Sequence, residues 1–261
     1  GVPFGSLALA SASNTERNPD LLPENTKSIE AGMELNFLQN RIGLDFSVYR
    51  SNTFNQIIPV SVTGATGSLR KFVNAGNIQN EGLELAINTT PVKAGDFRWN
   101  LNLTWSKNRN EVIELFEDQT NLRLTGVQGG VSINATVGEA YGSLWGTNFV
   151  DHTNGEHIVY PHWGGGMRYR KTSSPEVIGN VNPDWRGGIL NSLSYKNLAF
   201  SFLIDIQKGG DFFSLDTWYG TATGIYDFSA GDNDKGNLVR SSPDDGGGLP
   251  IDGVVHQTDA D

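Results

Sequence analysis

Hydrophobic and polar residues alternate with a period of two over much of this chain. Ile29, Ala31, Met33, Leu35 and Phe37 share one side, and Ser28, Glu30, Gly32, Glu34 and Asn36 share the other, which is the pattern of a two-faced β-strand. After Leu38-Gln39-Asn40-Arg41 the alternation returns, with Ile42, Leu44, Phe46 and Val48 opposed to Gly43, Asp45, Ser47 and Tyr49, so the two strands are expected to form a hairpin. A second hairpin is expected from Leu83, Leu85 and Ile87 followed by Phe97, Trp99, Leu101, Leu103 and Trp105, joined by a short link over Pro91 to Asp96. A third spans roughly Arg186 to Tyr195 and Leu198 to Gln207, turning at Lys196-Asn197, and in its last strand only Leu203 interrupts the polar side.

The connections are as regular as the strands. Three tight turns alternate with long segments at about 52 to 74, 116 to 183 and 208 to 261. This short-long rhythm is that of an outer-membrane barrel, with tight periplasmic turns and long extracellular loops. The fold class is therefore all-β: an antiparallel up-and-down meander forming part of a transmembrane β-barrel, with long extracellular loops. Alternation alone also suits a soluble β-sandwich, whose apolar faces would meet in a core. Six strands fall short of the roughly eight that the smallest membrane barrels need, so residues 1–261 are expected to be a partial barrel.

Composition narrows the choice. Only 37% of residues are hydrophobic, and 32 glycines make the chain turn-rich. A formal charge of −10 with no basic stripe excludes nucleic acid as a partner, because phosphate recognition needs clustered Lys and Arg. Cysteine is absent, which removes disulfides and thiolate metal sites. No apolar run is long enough for a transmembrane helix, a fact that says nothing about barrels, which cross with short alternating strands.

Several ordered segments resemble the SusC/RagA-like TonB-dependent outer-membrane receptors. They begin with Asn18-Pro19-Asp20-Leu21-Leu22-Pro23-Glu24, then Ser28-Ile29-Glu30-Ala31-Gly32, then Asn40-Arg41-Ile42 with Tyr49. Next comes the strand entry Asn74-Ala75-Gly76-Asn77-Ile78-Gln79-Asn80-Glu81-Gly82-Leu83-Glu84. Val137-Gly138-Glu139-Ala140-Tyr141-Gly142, Trp145-Gly146, Ile178-Gly179-Asn180, Asn182-Pro183-Asp184-Trp185 and Ser194-Tyr195-Lys196-Asn197 follow in the same order. The resemblance covers about residues 18 to 213. It implies a barrel of about 22 strands around an internal plug, located in the bacterial cell outer membrane. It also implies energy supplied by the TonB complex through the plug, a SusD-like surface lipoprotein as partner, and import of oligosaccharides or peptides. No TonB box, plug domain or closing aromatic-ended strand is found in these residues.

Among candidate binding residues, Tyr141, Trp145, Trp163, Trp218 and Tyr219 lie in expected outer loops, where aromatic rings stack on sugars or dock a partner, or simply anchor the loop. Trp99, Trp105 and Tyr195 read as a lipid-interface girdle. His152, His157 and His162 cluster with Asp151 and Glu156, but without zinc-site spacing, so no metal is assigned. Asp232-Asn233-Asp234-Lys235-Gly236-Asn237 alternates carboxylates as calcium loops do, yet lacks the downstream bidentate Glu; loop calcium stays open and no other cofactor is expected. The strand carboxylates Glu30, Glu34, Asp45, Glu84 and Asp205 could be set as a glycosidase pair, but their regular placement on water-facing positions explains them without catalysis, and no nucleophile motif occurs. The chain is read as part of a nutrient importer and not an enzyme. The alternatives are a secreted or surface carbohydrate-binding or adhesive β-sandwich and, third, a β-rich glycoside hydrolase.

Overall fold

A computed structural model of the chain describes residues 3–4, 7–8, 13–74, 76–162 and 165–255. The chain divides into two compact units. The first comprises residues 1–122, 135–142 and 182–210, and the second comprises 123–134, 143–181 and 211–261.

The first unit is built on one six-stranded antiparallel sheet. Its strands are β1 (Asn25–Phe37), β2 (Ile42–Phe54), β3 (Asn77–Ala94), β4 (Phe97–Glu114), β5 (Pro183–Tyr195) and β6 (Leu198–Gly209), and their order across the sheet is their order in the chain. The up-and-down meander expected from the alternation is therefore what forms. β1 and β6 are the two edges, so the sheet is open.

Register joins the alternating residues into rows. Leu35, Leu44, Ile87, Leu103, Ile189 and Ile204 stand opposite one another in turn across all six strands. Met33, Phe46, Leu85, Trp105, Gly187 and Ile206 form the row beside it. On the other face the intervening row runs Glu34, Asp45, Ala86, Thr104, Gly188, Asp205. A slip of one residue in any strand would exchange the faces, so the pattern itself specifies the register.

The second hairpin differs from its expected form. β3 does not end near Pro91 but continues to Ala94, and the turn is only Gly95-Asp96. Between Thr89 and Val92 the register shifts by one residue, a β-bulge at Thr90-Pro91, where proline has no N–H to give to the ladder. The shift returns Val92 and Ala94 to the apolar side, opposite Trp99 and Phe97. Arg41 fastens the bulge: its Nη2 donates to the carbonyls of Thr90 (3.0 Å) and Pro91 (3.1 Å), and its own carbonyl accepts from Thr90 N at 2.9 Å. The turn before it is costly, since Leu38, Gln39 and Asn40 all have left-handed φ, at 52°, 55° and 63°.

The long segments contain more structure than connecting loops. Residues 57–61 and 70–74 pair antiparallel within the first. The last contains helix α1 (Leu215–Thr223) and a single turn α2 (Asp227–Ala230), departures from an all-β chain that strand periodicity cannot signal. Ser214 Oγ caps α1 by accepting from Thr217 N (3.1 Å), and Arg240 holds its last turn, donating through Nη2 to the carbonyls of Thr221 (3.1 Å) and Ala222 (2.9 Å).

Buried hydrophobic side chains are found away from the middle of the sheet. In the first unit they are Ile58, Val60 and Val73 of the 57–74 hairpin, Ile78 and Val112 at the long-loop ends of β3 and β4, and Leu115, Leu122 and Ala135. In the second they are Val131, Leu144, Ile158 and Val159.

Candidate functional site

The two faces of the sheet have opposite chemistry. One carries only uncharged side chains over a band about nine residues deep: Ile29 to Phe37 in β1, Ile42 to Val48 in β2, Leu83 to Ala94 in β3, Phe97 to Trp105 in β4, Gly187 to Tyr195 in β5 and Leu198 to Ile206 in β6. About 9–11 tilted residues suffice for a β-strand to cross a bilayer. The side chains are uncovered: Ile29 is 73% exposed, Leu198 74% and Phe200 63%. A side chain of this kind left in water forgoes about 1.5–3 kcal/mol, so the whole face would cancel the net stability of a domain, about 5–15 kcal/mol. The face therefore requires an apolar environment from outside these residues. A sandwich core would supply it from a second sheet, and no described strand of the first unit covers this face.

Polar exceptions on the apolar face are few. Asn191 is one, and the Trp99 indole donates to its Oδ1 at 3.2 Å, satisfying both groups. Trp99 is thus tied to the neighbouring strand β5. With Phe97 and Tyr195, which stand opposite each other, it gathers aromatic rings at the tight-turn end. Trp105 lies at the other edge of the band, as does Trp185 of the Asn182-Pro183-Asp184-Trp185 motif. A Cβ added at Gly187 would meet Trp185 Cζ3 at 3.3 Å and Trp105 Cδ1 at 3.8 Å, so the two indoles meet over that glycine.

The opposite face is hydrophilic. Glu34, Asn36, Asn40, Gly43, Asp45, Asn88, Thr90, Asn100, Asn102 and Ser192 line an open hollow of about 420 Å³. Asn88 and Asn102 face each other across β3 and β4, and Thr90 Oγ1 donates to Asn100 Oδ1 at 2.9 Å. Glu34 and Asp45 are directly opposed, whereas Glu30, Glu84 and Asp205 lie in other rows or on other strands. Such a wall offers amide donors and acceptors and negative charge, suited to solvated, hydroxyl- or amide-bearing molecules. Its one apolar step is Leu190, which stands opposite Leu203.

The motif residues turn out to be clamps of the first unit. Tyr49 lies across Gly82, where an added Cβ would come within 2.4 Å of the ring, and its hydroxyl donates to Asn108 Oδ1 at 3.0 Å on the strand beyond. Asn74 bonds Leu22 in both directions (N to Oδ1 2.6 Å, Nδ2 to O 2.7 Å) and also donates to the Asn55 carbonyl at 2.8 Å. Glu24 accepts from Ile57 N at 2.7 Å. Leu22, Glu24 and Asn74 thereby fix the chain before β1 against the hairpin after β2.

The loop aromatics divide between the units. Tyr141, in the first, is half-buried: its N donates to Asn110 Oδ1 (3.1 Å) and its carbonyl accepts from Asn182 Nδ2 (3.0 Å). Burial, with the Glu24 carboxylate adding to it, raises its phenol above the usual range. In the second unit, the Trp145 indole N–H is buried without an acceptor among the described residues, so it packs inward. Trp218 and Tyr219 present ring surface, 43% and 45% exposed, in a T-shaped pair with centroids 4.7 Å apart. Tyr219 is anchored by its hydroxyl on Gln128 Oε1 at 2.5 Å, and Trp218 and Phe213 pack on Gly129, whose φ of 80° admits no side chain there. Trp163 lies outside the described residues.

His157 Nδ1 meets Asp151 Oδ1 at 2.6 Å, and its ring packs against Phe149 and Tyr169. No three His, Asp or Glu side chains gather into a metal-holding group among the described residues. In the run 232–237, Asn233 uses its side chain to shape its own loop, accepting from Lys235 N and Asn237 N and donating to the carbonyls of Gly246 and Gly248.

Comparison with known proteins agrees with this picture. Residues 3–195 match the family model described as TonB dependent receptor-like, beta-barrel. TonB-dependent receptor P26 of Formosa agariphila is 28% identical over 213 residues, 76% of this chain and 22% of the relative. TonB-dependent receptor SusC of Bacteroides thetaiotaomicron is 31% identical over 117 residues, 43% of this chain and 11% of the relative. Among solved structures, the RagAB peptide importer in its closed-closed state superposes with a TM-score of 0.60 at 20% identity, covering 74% of this chain and 22% of that one, a likeness of fold. The chain spans about a fifth of the length of P26.

Proposed function

Since the chain belongs to the TonB-dependent receptor-like β-barrel family, we propose that it forms part of the wall of a bacterial outer-membrane importer for oligosaccharides or peptides. The observation that carries the reading is the pairing of an uncovered, uncharged band on one face with an amide- and carboxylate-lined face on the other. The first suits lipid and the second a water-filled conduit. Transport of this kind needs no bond-making residue, and the chain acts as a wall and not as an enzyme. The relatives named SusC and RagAB support a glycan or peptide cargo, a SusD-like surface lipoprotein as partner and coupling to TonB. In the second unit, the exposed ring surface of Trp218 and Tyr219 supports a role for them in stacking on a cargo sugar or meeting such a partner.

The test is made on the full-length protein in its own host. Its recovery in the outer-membrane fraction, and loss of uptake of a labelled oligosaccharide or peptide pool on deletion of its gene, are expected. A water-soluble monomer of the same chain would overturn the proposal and favour the sandwich.

A further inference from the structure

The lipid-type face does not stop at Trp105 and Trp185. Beyond Trp105 and Ile206, on the same side of the sheet by strand parity, the charged residues begin. Ser106, Arg186 and Gln207, which stand opposite one another across β4, β5 and β6, belong to the polar face and carry the register outward. One position further out Trp185 and Lys208 are directly paired, and Lys107, which stands opposite Leu83, follows Ser106 on the strand next to Trp185, so continuing the register by one place sets all three in one row. Two lysines thus flank one indole at the band edge, their strands separated by about 10 Å, two strand spacings. Neither lysine has an ion-pair partner among the described residues, although acids outnumber bases in the chain by 29 to 19. The cations further along, Arg50 and Arg109, are engaged differently: Arg50 Nη2 donates to Gln79 Oε1, and Arg109 pairs with Glu111 at 3.3 Å.

A lysine at this level lays its methylenes along the apolar band and lifts its ammonium into the polar layer beyond. Two such ammonium groups beside interfacial indoles form a cradle for a compact, multiply negative group at the depth of a lipid headgroup. We propose that Lys107, Trp185 and Lys208, with Trp105 beneath, form a binding site for a lipid headgroup with a net negative charge on its phosphates, at the long-loop side of the membrane. The occupant is a lipid because the site continues the uncovered apolar face, where acyl chains have a surface to lie on, and because its charge is complementary to phosphate. The inference rests on the reading of that face as lipid-exposed.

The experiment uses the full-length protein in detergent, incubated with lipid A, with lipid A stripped of its phosphates, and with phosphatidylethanolamine, and retained lipid is counted by native mass spectrometry. Phosphorylated lipid A should be retained about thirtyfold over the stripped form, the ratio expected from about 1 kcal/mol for each of the two lysines near an anionic surface. K107Q/K208Q should remove most of that preference, leaving phosphatidylethanolamine retention and heat-modifiable migration unchanged, and K107R/K208R should keep it. Equal retention of the two lipid A forms, or a K107Q/K208Q protein as selective as wild type, overturns this site and leaves the lipid-facing reading in place. Failure of wild type to retain any of the three lipids overturns both.

Discussion

The middle of the six-stranded sheet and the long segments beyond it reverse the usual relation between pattern and core. In the band of the sheet, where hydrophobic residues recur with strict period two, none is buried, and those of the edge strands are largely exposed. In the long segments, where no period is visible, Ile58, Val60, Val73, Leu144, Ile158 and Val159 are buried. The difference is one of solvent. A residue meeting water on one side and lipid on the other needs no partner side chain, so the sheet requires only alternation. A loop held in water must build its own small core and satisfy its own backbone.

The comparison breaks most readily at the centre of the band. Leu103→Arg is expected to destabilise the full-length protein in bilayers by about 2–4 kcal/mol, against little change for Thr104→Arg on the adjacent polar position. Urea unfolding in vesicles compares the two, and equal effects would mean that the faces do not meet different solvents.

A smaller loss, about 1–3 kcal/mol, is expected from Gly82→Ala, because the added Cβ would lie 2.4 Å from the Tyr49 ring. Combining it with Tyr49→Ala should recover part of the loss, and additive losses would show that the close approach is not the cause. In the long segments, Arg240→Ala removes the donors holding the end of α1. Faster amide exchange over 215–223 without a change in the sheet is expected, and exchange that accelerates in both places would contradict the independence of the two regions.

The smallest effect concerns pH. The Tyr141 phenol titrates above its unfolded value, so the stability it contributes is fully present below that unfolded value, near 10, and is lost as pH rises through the raised folded one. An ultraviolet titration near 295 nm should show one late-ionising tyrosine in the wild type that is missing from Tyr141→Phe.

Much of this was legible beforehand in the residues themselves. Ile29 to Phe37, Leu83 to Ile87 and Leu198 to Ile206 declare their faces, and Leu203 is visible as the exception on the polar side. The bulge at Thr90-Pro91 was not, because a one-residue change of phase next to a proline looks like the end of a strand. Only the Arg41 bonds to those two carbonyls show that the strand continues. The loop aromatics were legible as candidates but not in their differences: burial of the Trp145 indole N–H and exposure of Trp218 depend on residues far away in sequence.

The sequence alone determined the six strands, their joining into three hairpins and the opposition of the two faces, because period two and turn chemistry act between near neighbours in the chain. Tertiary structure decided how Tyr49 spans Gly82 to reach Asn108, how Asn74 ties Leu22 to Asn55, and how Lys107, Trp185 and Lys208 come into one row. Those arrangements join residues between about 20 and 100 positions apart, and their geometry is set by hydrogen bonds and close contacts across strands, which no local pattern encodes.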